Sequence, residues 1–130
     1  MQIKLSLLLS TVLLLSDCRI PMDGSIHYQV SSDTFTSVDN ISYTLNKGDI
    51  YNTGKINLPF DTSLNIDGNT LDYAAMLNVT ITPPNNTTGG TLSTKIDFTR
   101  VEGGSELTKS YSAGERVDQK VNLITSSTTF

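Results

Sequence analysis

Cysteine is nearly missing from this chain: Cys18 is the single one, and none follows it. No intrachain disulfide can therefore staple a domain built from residue 19 onward, which excludes the disulfide-dense scaffolds of small secreted proteins. Tryptophan is absent and histidine occurs once, as His27. With one imidazole and no later thiol, Ser–His and Cys–His nucleophile pairs have few parts to draw on. The expectation is a protein that is not an enzyme, with no catalytic residue, cofactor or phosphate-cradling glycine loop. Lys and Arg number 9 against 13 Asp and Glu, for a net charge of −4, and no basic cluster exists. That balance disfavours nucleic acid and anionic membrane as partners.

Long hydrophobic runs are also missing, apart from one at the amino terminus. Met1 to Lys4 is a short cationic start, and Leu5 to Leu15 is apolar except for Ser6, Ser10 and Thr11. The run falls short of the roughly 20 residues that span a bilayer. Its layout is that of a secretory signal peptide over residues 1–18. Cleavage after Cys18 would free Arg19. Alternatively Cys18 carries lipid, since Leu15-Ser16-Asp17-Cys18 is similar to a bacterial lipobox except at Asp17. About 110 residues then remain, enough for one domain and not two.

What is abundant is Ser and Thr, with Asn, Asp and Gly between apolar positions of period two. Ile26, Tyr28 and Val30 alternate with His27, Gln29 and Ser31, and Ile41, Tyr43 and Leu45 do the same. Residues 50–60 read as one longer run with a bend at Gly54. Residues 71–81 end as Leu77, Val79, Ile81. Leu92, Thr94, Ile96 and Phe98 alternate with Ser93, Lys95, Asp97 and Thr99, and Val117, Gln119, Val121 and Leu123 close the chain as one strand. Turn chemistry separates these runs at Asn46-Lys47-Gly48, Asp67-Gly68-Asn69, Pro83 to Gly90 and Gly103-Gly104. The pattern predicts an all-β, antiparallel β-sandwich of six or seven strands.

Candidate sites are sparse. His27 falls on the polar face of an early strand and reads as an exposed side chain. Asn65, Asp67, Asn69 and Asp72 gather oxygen ligands around Gly68 as calcium loops do, but the alternating spacing and distal Glu of such loops are missing, so a plain turn is expected. Asn-x-Ser/Thr sequons occur at Asn40, Asn78, Asn85 and Asn86.

Three stretches resemble subunits of chaperone–usher pili: Ser25 to Val30, Ile96 to Gly104, and Ser112 to Val117 running into Val121 and Leu123. Arg116 stands where that family carries Tyr. The resemblance implies an immunoglobulin-like sandwich left incomplete until a donor strand fills its groove. The arm would be residues 19–33, inserting Ile26, Tyr28 and Val30, ahead of a domain over 34–130. Val117, Val121 and Leu123 would form a groove edge. The implied function is a structural subunit of a bacterial surface fimbria, exported through the periplasm, with like subunits, a periplasmic chaperone and an outer-membrane usher as partners. Two alternatives stand beside it. Ile26 to Val30 can be the first strand of a complete sandwich. Such a self-contained module, secreted or lipid-anchored, would bind a glycan or host surface protein, with Tyr43, Tyr51, Tyr73 and Tyr111 as candidate contacts.

Overall fold

The computed structural model describes residues 24–45, 48–66, 74–85, 89–102 and 104–126, with backbone only at 101 and 102. Every regular element among them is a strand: β1 Gly24–Ser32, β2 Ser37–Val38, β3 Asn40–Thr44, β4 Ile50–Asn52, β5 Ile56–Asn57, β6 Phe60–Ile66, β7 Met76–Ile81, β8 Gly90–Glu102, β9 Ser105–Val117 and β10 Val121–Ser126. They form two four-stranded antiparallel sheets, ordered β6-β1-β8-β9 and β10-β7-β3-β4, with β2 and β5 pairing as a small third sheet. The protein is all-β and its two large sheets pack as a β-sandwich.

Alternation places the core between those sheets. Ile26, Tyr28 and Val30 from β1 and Leu92, Ile96 and Phe98 from β8 are fully buried, and Ile41, Leu77, Val79 and Ile81 meet them from the other sheet. Polar contacts cross this apolar layer as well. The Tyr28 hydroxyl donates to the Thr44 carbonyl at 2.7 Å, and the buried hydroxyls of Thr94 and Thr125 bond to each other. Burying these groups is tolerable because each finds a partner.

The longest hairpin is β8–β9, thirteen residues on each side. Its register pairs Glu102 with Ser105 across a turn that contains Gly104. Gly104 has φ +82°, the left-handed conformation that tight hairpin turns demand and that a side chain resists.

The three longer runs of the sequence are built in different ways. Residues 50–60 split into β4, β5 and the start of β6, because the chain bends at Gly54 and Pro59 has no N–H to give to a ladder. The run over 71–81 yields β7 only from Met76; Leu71 to Tyr73 lie outside the described residues. The closing strand is two strands in different sheets, β9 ending at Val117 and β10 starting at Val121. The reason is Gln119, a polar side chain in the inward register that stays exposed. Beside it Asp118 is held by the Arg116 Nε at 3.0 Å as the chain turns the corner.

The link from β1 into β2 is held by side chains. The Ser32 hydroxyl accepts the N–H groups of Thr34 (3.1 Å) and Phe35 (2.9 Å). The Asp33 carboxylate accepts the Thr91 N–H at 2.8 Å and the Thr34 hydroxyl at 2.9 Å. The Thr91 bond first, and then the Thr34 bond, hold the Asp33 carboxyl below the usual carboxylate range. A carboxylate of depressed pKa contributes stability that is complete above its unfolded value of about 3.9 and is lost as pH falls through the lower folded value. Asp33→Asn is therefore expected to flatten the acid limb of the stability curve below about pH 4, as read by urea unfolding along a pH series.

Candidate functional site

The outward face of the β6-β1-β8-β9 sheet carries polar side chains from all four strands. Antiparallel register puts residues directly opposite on one face, and three polar rows result. Asp61, Gln29, Lys95 and Ser112 form one row; Ser63, His27, Asp97 and Ser110 form the next; Asn65, Ser25, Thr99 and Thr108 form the third. The sequence builds this face through strand period alone, since each polar residue alternates with a core residue on the same strand.

Close contacts tie the first two rows together. Lys95 Nζ lies 3.7 Å from the Asp97 carboxylate, which also accepts the Ser110 hydroxyl. His27 Nε2 lies 3.7 Å from the Asp61 carboxylate, with the His27 side chain 37% exposed and that of Asp61 69% exposed. The imidazole is held toward Asp61, and among the described residues no hydrogen bond joins it to Ser63. Where β1, β6 and β8 run side by side, a shallow depression of about 300 Å³ opens between Gln29, Ser31, Pro59, Asp61, Ser93 and Lys95. It offers a carboxylate, an amide, an ammonium and two hydroxyls within one small area. Such a set can accept from and donate to several hydroxyls of one ligand at once.

The donor-strand candidates Ile26, Tyr28 and Val30 lie wholly in the chain's own core. They pair with Leu64, Thr62 and Phe60 of β6 on one side and with Phe98, Ile96 and Thr94 of β8 on the other. The groove-edge candidates Val117, Val121 and Leu123 are buried too, but they do not flank β1: Val117 ends β9 and the other two belong to β10 in the opposite sheet. Their division follows from the corner at Asp118 to Lys120.

Among the tyrosines, Tyr43 is buried at 5.1 Å from the Tyr28 ring, with Tyr51 at 5.5 Å and Phe60 at 6.0 Å. Burial pushes the Tyr43 phenol up, a bond to Thr62 works against this, and Tyr51 adds to it. Tyr51 is half exposed, while Tyr111 stands edge-on to Phe98 at 6.3 Å. Of the calcium candidates Asn65 sits on β6, and Asp67, Asn69 and Asp72 lie outside the described residues, as do Tyr73, Asn86 and Cys18. No group of three or more His, Cys, Asp or Glu among the described residues could hold a metal ion. Asn40 is already engaged through both ends of its amide, donating to Ser42 and Asn52 and accepting from the Gly54 N–H. Asn78 is half buried on β7, and Asn85 is exposed in a turn.

Sequence reading assigned Gln29, Lys95 and Asp97 to solvent and gave them no role, and it did not single out Asp61. Period two marks such residues as outward; only strand pairing brings residues 29, 61 and 95 together. Comparison with family models, with curated proteins and with solved structures found no match.

Proposed function

We propose that this chain is an exported, self-contained β-sandwich that binds a glycan on the outward face of the β6-β1-β8-β9 sheet. The observation that carries this reading is β1, whose apolar face fills the chain's own core while its polar face supplies Gln29 to the depression. A complete sandwich leaves its surface, not a missing strand, as the place of action. Asp61, Gln29 and Lys95 would hydrogen-bond sugar hydroxyls, with Pro59 as an apolar rim beside them. Two antiparallel four-stranded sheets joined by connections that cross between them support reading the sandwich as immunoglobulin-like.

A glycan array followed by titration calorimetry tests the assignment. Asp61→Ala and Gln29→Ala are each expected to weaken the selected glycan, Asp61→Ala by roughly tenfold or more because its bonds are charge-assisted. Binding unchanged in both variants would end this reading.

The fimbrial reading keeps one point of support: β1 is the first described strand, sits between two others, and joins the body through only residues 33–36. A neighbour's β1 could occupy the same register. Because Ser25 lies opposite Thr99 and no cysteine follows residue 18, Ser25→Cys with Thr99→Cys discriminates the two. On a non-reducing denaturing gel of surface extracts, a monomer of altered mobility marks a β1 that stays at home. A ladder of linked multimers would replace the binding module with a strand-exchange fibre and its chaperone and usher.

A further inference from the structure

Another depression, of about 210 Å³, opens apart from the one assigned to the glycan, and the two share no lining residue. Its walls include Thr36, Ser37, Asp39, Lys55, Thr82 and Pro84. Hydrogen bonds pin the backbone on both sides of it. The Asp39 N–H donates to the Thr80 carbonyl at 2.8 Å, and next to Lys55 the Gly54 N–H donates to the Asn40 side chain at 2.7 Å. β2 pairs with β5 through Ser37–Asn57 and Val38–Ile56, and the next step of that register sets Asp39 across from Lys55. Opposite charges so placed ordinarily close on each other. Here the Asp39 carboxylate is turned to the Thr82 hydroxyl, which donates to it at 2.6 Å. Among the described residues no ion pair joins Asp39 to Lys55, and no hydrogen bond engages the Lys55 ammonium. A carboxylate and an ammonium therefore face one small space without neutralising each other.

We infer that this depression binds a free α-amino acid in its zwitterionic form. Charge decides the class of ligand. A simple anion drawn to Lys55 also meets Asp39, and a simple amine drawn to Asp39 also meets Lys55, so each gains one attraction and one repulsion. A zwitterion presents its ammonium to Asp39 and its carboxylate to Lys55, and gains both attractions. The Thr36 and Ser37 hydroxyls can donate to the same carboxylate, and Pro84 offers an apolar wall to the ligand's side chain. The volume lies below the roughly 300 Å³ at which sites for drug-sized ligands begin, which suits a single amino acid and not an oligomer. Asp39 and Lys55 are both exposed, so water screens their pull and the affinity is expected in the millimolar range.

Leucine, N-acetylleucine and leucinamide test this with one side chain in three charge states. Amide signals of the isotopically labelled chain, followed by nuclear magnetic resonance during titration, are expected to shift with leucine at Ser37, Asp39, Lys55 and Thr82. Acetylating the amine removes the charge that Asp39 holds, and amidating the carboxylate removes the one that Lys55 holds. Each analogue should therefore bind roughly fivefold more weakly, or worse. Asp39→Asn and Lys55→Met change exposed side chains and should each weaken leucine by a similar factor, with the spectrum itself showing that the fold is kept. Shifts at these residues, and not at Gln29, Asp61 and Lys95, separate this site from the glycan face. Either analogue, or either variant, matching the affinity of the unmodified chain for leucine would overturn the inference. So would unmoved signals at these four residues up to about 100 mM leucine.

Discussion

Truncating Tyr28 to alanine is expected to cost about 3–5 kcal/mol, the range for removing a large buried aromatic side chain. Against a total of roughly 5–15 kcal/mol for a domain of this kind, that leaves the protein near or past its threshold. Three losses add up at this position. The ring is fully buried at the middle of β1, it lies 5.1 Å from the Tyr43 ring, and its hydroxyl bonds the Thr44 carbonyl of the opposite sheet. Tyr28→Phe keeps the first two and removes the third, so it should cost about 1 kcal/mol. Urea unfolding followed by circular dichroism measures both, with an unchanged m-value showing that the same surface is exposed. A Tyr28→Ala chain as stable as the original would mean that β1 does not belong to its own core. It would also remove the ground for treating the sandwich as self-contained.

The second large effect comes from adding one carbon. Gly90 opens β8 beneath the link from β1 to β2, and a Cβ there would stand 2.6 Å from a ring carbon of Phe35 and 2.7 Å from the Thr34 Cβ. Neither neighbour gives easily. Phe35 is buried, and the link is fastened by Ser32 to the N–H groups of Thr34 and Phe35 and by Asp33 to Thr91. Gly90→Ala should therefore destabilise by about 1–3 kcal/mol through overpacking. Gly114→Ala is the control on the paired strand, since the closest approach of its Cβ would be an ordinary 3.7 Å to the Leu92 carbonyl. A shared cause is testable by coupling: Gly90→Ala combined with Phe35→Leu should cost less than the two changes added together. Strict additivity would mean that the ring is not what the methyl group meets.

Both predictions rest on neighbours distant in the chain, and this bears on how much of the protein was legible beforehand. Strand identity was legible wherever alternation was clean. β1, β3 and β8 lie where Ile26 to Val30, Ile41 to Tyr43 and Leu92 to Phe98 pointed, because one buried face imposes period two on the residues that build it. A turn at Gly104 was legible because few residues accept its left-handed backbone. The breaks were harder. The segment from Ile50 to Phe60 keeps apolar residues throughout, and alternation alone does not say that Gly54 and Pro59 divide it into three strands. Val117 and Val121 share an inward parity as though one strand joined them, although the chain changes sheets between them.

The site was less legible still. Nothing in the local sequence links Gln29 to Asp61 or to Lys95, because contact between them depends on β1 lying between β6 and β8 and on a register that the whole core sets. The sequence by itself determined the class of the protein: an all-β chain with no disulfide beyond residue 18, since composition and period two are local properties of the strands. Only the tertiary structure decided that β1 is an inner strand of its own sheet and that residues 29, 61 and 95 share a depression. Those facts are pairings between segments more than 30 residues apart, and the energy that selects them is the burial of both sheets against each other.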